Sequence, residues 1–300
     1  MTDHASDTID FMRWKWAYFA FSLLILVPGV ISLVAYKLQL AIDFTGGTLL
    51  EIHFQQALDN SHIRDVAKSL RLELSSIQPS GENTYLLRLK PITAEQNEEL
   101  KKALGSNVEE KRFETVGPVV GKELTQKALA AVGIASIAIV VYIAWAFRHV
   151  PKPYSSWKFG ISAVAALLHD VFVVLGVFSL LGHFYHVEID ALFVTAMLTV
   201  IGFSVHDTIV VFDRVRENLP KMADKSFTEV VNFSLTETLV RSLNTSMTVI
   251  LTLTALLLFG GEPIRWFIVA LLVGITSGTY SSIFNAAPLL VLWESHAKKH

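Results

Sequence analysis

The sequence predicts an α-helical membrane protein of six transmembrane helices, with a ferredoxin-like α+β domain of order βαββαβ between the first and second. Composition is the first observation behind this. Hydrophobic residues make up 52% of the 300 residues and charged residues only 17%, with a mean hydropathy of +0.47, too apolar for an ordinary soluble domain. The second is that six apolar runs each approach the roughly 20 helical residues that cross a bilayer core. The third is one polar interruption, residues 39–125, which holds much of the chain's charge and alternates strand-like with helix-like periods.

The spans fall at residues 14–36, 126–147, 159–181, 189–212, 239–259 and 265–293, joined by short connections except for the polar interruption. The chain therefore divides into a first transmembrane helix in 1–38, the α+β domain in 39–125 and a five-helix bundle in 126–300. The first apolar run lacks a small-residue cleavage site and is expected to be a retained anchor. Short connections keep their cations on one side: Arg13 and Lys15; Arg148, Lys152 and Lys158; Arg214, Arg216, Lys221 and Lys225; Lys298 and Lys299. Both termini are thus expected in the cytoplasm, with residues 39–125 across the membrane. Residues 213–238 mix charge with Phe227, Val230, Val231 and Phe233, which reads as an amphipathic helix lying at the surface before the fifth span.

Within the polar interruption, TLLEIHF (48–54) alternates as a strand and 61–72 places Ile63, Val66, Ala67 and Leu70 at helical spacing. Two strand-like runs, 73–78 and 84–90, flank the turn PSGEN. A second helix, 93–104, opens on Thr93 with Gln96 three positions on, a capping-box pattern, and 108–116 returns as a strand. That order is the split βαββαβ unit, a fold too versatile to name a mechanism.

Functional residues are sought where charge enters the apolar runs. The fourth span, ALFVTAMLTVIGFSVHDTIVVFDR, carries Asp207, and an unpaired carboxylate there costs at least about 2.5–3.5 kcal/mol. It calls for a partner, a water path or neutralisation. His206 precedes it, and His169-Asp170 in the third span repeats the pair, HDVFVV against HDTIVV. Neighbours on a helix point about 100° apart and the i, i+4 spacing of helical metal ligands is missing, so no metal is expected. In the fifth span Arg241, Thr245, Thr248 and Thr252 form one polar stripe, with Asn244 beside it. Arg241 reads equally as the partner of Asp207 or as a cation snorkelling to the helix end. Gly274, Gly278 and Ser282 in the sixth span mark close helix packing, within the bundle or against a partner. Gly46 and Gly47 permit the turns of a rigid joint where the first span meets the domain.

Other chemistries are excluded or weak. No cysteine is present, which removes disulfides, thiolate nucleophiles and sulfur-ligated metals. A net charge of −2 gives no basic field for nucleic acid. There is no phosphate-cradling loop and no nucleophile constellation of a hydrolase, so neither a cofactor nor enzymatic activity is expected.

The runs IDFTGGTLLEI (42–52), VGPVVGKEL (116–124), LLHDVFVVLG (167–176), IGFSVHDTIVVFDRVREN (201–218) and RSLNTSMT (241–248) resemble the SecF family in family order. The resemblance spans essentially the whole chain. It implies a subunit of the resistance-nodulation-division superfamily in the bacterial inner membrane, with residues 39–125 periplasmic. It also implies assembly with SecD and the SecYEG channel, YajC as a further candidate partner, and use of the proton gradient to help draw exported unfolded polypeptides across. The same resemblance implies that Asp207 and Arg241 take part in proton movement; His206, Asp170 and His169 are candidates for the same pathway, and Gly46 and Gly47 are the candidate hinge through which the domain would move. One departure stands out: where the family commonly has Asn-Asp, this chain has His206-Asp207, either an added relay group or a neutral stand-in for Asn. A non-conducting scaffold of the same complex and half of a small-molecule exporter are the alternatives.

Overall fold

The computed structural model describes residues 9–56, 58–105, 107–151 and 154–297; Lys152, Lys298 and Lys299, three of the orienting cations, lie outside them. The chain forms two compact units, Leu40–Ala130 and the combination of Met1–Gln39 with Ala131–His300.

After α1 (Lys15–Tyr36), the first unit runs through a single turn, α2 (Ile42–Thr45), then β1 (Gly47–Phe54), α3 (Asn60–Ser69), β2 (Leu74–Gly81), β3 (Thr84–Leu89), α4 (Ala94–Leu104) and β4 (Val108–Val116). The sheet is antiparallel in the order β2-β3-β1-β4, the split βαββαβ arrangement predicted from the alternations. Leu50, Ile52 and Phe54 alternate onto the face covered by Ile63, Ala67 and Leu100, and this is the domain's core. Thr93 caps α4 reciprocally with Gln96, as its spacing requires.

At the root of the domain Gly46 and Gly47 have φ of 70° and 130°, left-handed values that exclude most side chains. A Cβ on Gly46 would lie 3.0 Å from Cα of Pro118, and one on Gly121 would lie 2.9 Å from the Gly46 amide. The GG pair is thus required by backbone shape and by contact with the VGPVVG segment.

The membrane unit holds α1, the second part of α5 (Pro118–Ala146), α6 (Ser156–Tyr185), α7 (Ala191–Lys221), α8 (Phe227–Phe259), α9 (Arg265–Ser281) and α10 (Ala287–Ala297). Six stretches among the described residues are long and apolar enough to span, the last running through α9, a π-helical turn at Ser282–Ala286 and α10. The π turn has no signature in the apolar run and was not expected. Phe159, Phe147 and Phe212 meet tilted and edge-on in one apolar cluster; Phe178, Phe193 and Val200 belong to a second.

Two glycine crossings set the helix spacing. A Cβ on Gly176 of α6 would sit 2.5 Å from Cα of Gly29 on α1. On α9, a Cβ at Gly274 would meet Val200 of α7 at 2.2 Å, and one at Gly278 would meet Ser204 at 3.2 Å. The small residues of the sixth span therefore pack within the bundle.

One expectation fails. Residues 213–238 do not form a separate surface helix: α7 continues to Lys221 and α8 begins at Phe227. Phe227, Val230, Val231 and Leu235 are buried in the cluster that includes Val215 and Leu219, and Arg214 reaches Glu237 through Nε and Nη2 at 2.7 and 2.6 Å. Burying that apolar face between two helices removes it from the membrane surface.

Candidate functional site: two buried carboxylates in the bundle

Asp170 and Asp207 are both buried, at 0% and 2% exposure, but their surroundings differ. Asp170 on α6 accepts hydrogen bonds from Ser204 Oγ of α7 at 2.6 Å and from Ser277 and Ser281 Oγ of α9 at 2.7 and 2.6 Å. His169 adds its Nδ1 at 3.0 Å. Gly278 makes room for this knot, since a Cβ there would lie 3.6 Å from Asp170 Oδ2. Three helices are thus fastened at one carboxylate, which three hydroxyls and the neighbouring imidazole contact, with no Lys or Arg among the described residues paired to it.

Asp207 lies about 24 Å along α7 from Ala191 at 1.5 Å per residue. His206 Nδ1 is 4.0 Å from its Oδ1, beyond hydrogen-bond reach. Ser246 of α8 stands beside the carboxylate, yet Oδ2 has no well-formed hydrogen bond among the described residues. Ser242 Oγ, one turn before Ser246, is likewise buried without a partner, while Ser246 is held by Thr279 Oγ1 of α9 at 2.6 Å. This is an unfinished polar site in the middle of a membrane helix.

Arg241 does not complete it. The Arg241 side chain is exposed and makes no ion pair with Asp207 among the described residues; Ser242 and Ser246 occupy the inward face of α8 instead. The polar stripe Arg241, Thr245, Thr248 and Thr252 is real but points away from this chain's own bundle. Each of its threonines returns its hydroxyl to the preceding turn of backbone. On α7, Thr195, Thr199, Gly202 and His206 are exposed at helical spacing, so each of these two helices carries polar residues on its outward side. His206 and Asp207 therefore point apart, the histidine outward with 65% of its side chain exposed.

Sequence reasoning missed Ser204, Ser277 and Ser281. Ser277 and Ser281 are four apart on α9, next to the Gly274 and Gly278 face, and that spacing was a legible signal; the sixth-span serine singled out, Ser282, donates to the carbonyl of Thr279.

Comparison with known proteins accords with the arrangement. Residues 96–296 match the family model "Protein export membrane protein SecD/SecF, C-terminal", and residues 31–58 match the SecD/SecF GG motif, which takes in Gly46 and Gly47. The protein translocase subunit SecF of Thermobaculum terrenum is 48% identical over 96% of this chain and 94% of its own length. That of Anaerolinea thermophila is 42% identical with the same coverage. The SecDF of Bacillus subtilis is 36% identical, but the chain spans only 39% of its length. The crystal structure of SecDF from Thermus thermophilus, a translocon-associated membrane protein, superposes with a TM-score of 0.81 at 33% identity, covering 97% of this chain and 39% of that one. With family model, relatives and solved fold in agreement along nearly the whole sequence, the chain belongs to the SecF branch of the SecD/SecF family of protein export membrane proteins.

Proposed function

We propose that this chain is a proton-gradient-coupled auxiliary subunit of the bacterial Sec machinery. It works with SecD beside the SecYEG channel to help exported polypeptides across the inner membrane, with both termini cytoplasmic and no catalytic chemistry of its own. The observation that supports this is the state of Asp207. A carboxylate buried in a membrane helix, short of hydrogen bonds and one helix face away from an exposed polar stripe, is poised for a change of surroundings. The protonation of any carboxylate follows its surroundings, because loss of water and the approach of a cation act on it in opposite senses. Arg241 becomes that cation in the proposed cycle, when the bundle rearranges against a related subunit. Relatives named SecDF, of which this chain matches 39% and 40%, have further length in the same polypeptide to supply such a partner. The domain would follow through the joint at Gly46 and Gly47.

Gradient-stimulated translocation in reconstituted vesicles tests the reading. Asp207→Asn keeps the shape and removes titration, so stimulation should vanish while assembly persists. Stimulation at the level of the unsubstituted chain would make the subunit a scaffold.

A further inference from the structure

Beside Asp207 a short chain of hydroxyls leads from α7 through α8 to α9. Ser246 of α8 stands next to the carboxylate, whose Oδ2 has no hydrogen bond among the described residues. Ser246 Oγ lies 2.6 Å from Thr279 Oγ1 on α9, and the same threonine oxygen lies 2.9 Å from the carbonyl of Ile275, one turn back on its own helix. Asp207, Ser246 and Thr279 are all buried, so the chain is closed to bulk solvent.

Thr279 has one proton for two neighbours. A carbonyl only accepts and a hydroxyl carries a single O–H, so Thr279 donates either to Ile275 or to Ser246 at any moment. If it donates to Ile275, the 2.6 Å contact requires Ser246 to donate to Thr279, and no hydroxyl proton remains for Asp207. If it donates to Ser246, the serine's own proton is released toward Asp207. The first arrangement suits the protonated acid, whose O–H can donate to Ser246; the second suits the carboxylate, which only accepts. Both hydroxyls keep their own hydrogens throughout and only rotate.

We propose, given the proton-responsive role of Asp207, that Thr279 is its positioning residue: through Ser246 it sets whether the carboxylate has a donor, and it carries the change to the backbone of α9. Thr279 lies midway between Ser277 and Ser281, which both donate to Asp170, so one turn of α9 contacts the partners of one buried carboxylate and holds the other directly. The π turn at Ser282–Ala286 follows at once, a departure from regular helix that recurs at functional sites.

The test is equilibrium unfolding of the full chain by SDS in mixed micelles, followed by tryptophan fluorescence. Thr279→Val keeps the shape and removes the hydroxyl, and Asp207→Leu removes the far end of the chain. Their effects should be coupled by about five-fold in the unfolding equilibrium, the size of one ordinary hydrogen bond, although the two residues are bridged only through Ser246. In a Ser246→Ala background the coupling should vanish. Gradient-stimulated translocation should fall about five-fold in Thr279→Val, again the factor one hydrogen bond supplies, and return in Thr279→Ser, which keeps the hydroxyl. Additive effects of Thr279→Val and Asp207→Leu, or a Thr279→Ser chain no more active than Thr279→Val, would overturn the proposal. Full stimulation in Asp207→Asn would instead remove the proton-coupled reading, and the unfolding cycle would still decide whether the hydroxyl chain exists.

Discussion

Ser204, three positions before Asp207 on α7, hydrogen-bonds the carboxylate of Asp170 on α6 at 2.6 Å. The two histidine-aspartate pairs are therefore joined through one turn of α7, and Ser281 of α9 shares the same oxygen, Oδ2. Removing one donor from a buried carboxylate costs about 1.5–3 kcal/mol. Ser204→Ala and Ser281→Ala are each expected to lower the unfolding midpoint in detergent, followed by tryptophan fluorescence. The double variant should lose more than the sum, because the oxygen then has no donor left among the described residues. Strict additivity would show that the serines pack without holding the charge.

The crossing of Gly29 and Gly176 gives a second stability prediction. Gly176→Ala forces a methyl into the backbone of α1, where nothing can swing aside, and should destabilise the bundle by about 1–3 kcal/mol or more. Gly133→Ala is the control: no atom lies within 4 Å of its added Cβ, and alanine's better helix propensity should stabilise by up to about 1 kcal/mol. The same thermal measurement reports both.

What the sequence disclosed follows from which forces leave a periodic trace. Apolar run length marks the six spans, and alternation with the Thr93 cap marks the βαββαβ domain. The glycine pair at 274 and 278 announces close packing, but sequence alone does not say against what; the answer, Val200 and Ser204, is a matter of tertiary placement. The stripe on α8 was legible as a stripe, yet a helical period fixes which residues share a face and not which way that face turns. That is why the residues alone left Arg241 open between a partner of Asp207 and an outward cation, and it is found outside. The segment 213–238 was misassigned because an amphipathic face fits a membrane surface and a neighbouring helix equally well.

In the domain, Lys101 lies 2.8 Å from Glu110, with Asn97 Nδ2 also donating to the same oxygen. The hydrogen bond from Lys101 holds the Glu110 carboxyl below its ordinary range, and hydrogen bonds to Glu110 and Glu98 raise the Lys101 ammonium. A lowered acid contributes stability that is present above its unfolded pKa and lost as pH falls through the folded one. A raised base contributes below its unfolded pKa and loses it as pH rises through the folded one. The pair is thus fully effective across neutral pH and fades at acid pH through Glu110. Protection factors of β4 amides, corrected for intrinsic exchange, should fall on acidification, and Glu110→Gln should flatten that fall. The effect should be about 0.2–1 kcal/mol, because both side chains are partly solvated.

The last prediction concerns the outward polar residues of α7 and α8. Were Thr199, Thr248 and Thr252 turned to lipid, exchanging them for leucine would remove hydroxyls from hydrocarbon and be neutral or favourable. If they are covered by a related subunit or by water at its seam, the same exchange removes the polar surface that the partner reads, and leaves Arg241 and His206 beside an apolar wall. Thr248→Leu with Thr252→Leu should therefore leave the isolated chain's unfolding midpoint unchanged while weakening its copurification with SecD. Because the chain has no cysteine of its own, Thr248→Cys offers a direct second readout: it should form crosslinks to coexpressed SecD, whereas Leu258→Cys, 70% exposed on the apolar part of α8, should not. Crosslinking from Leu258 alone would place the partner on the apolar side and leave the stripe, Arg241 included, without the role given to it.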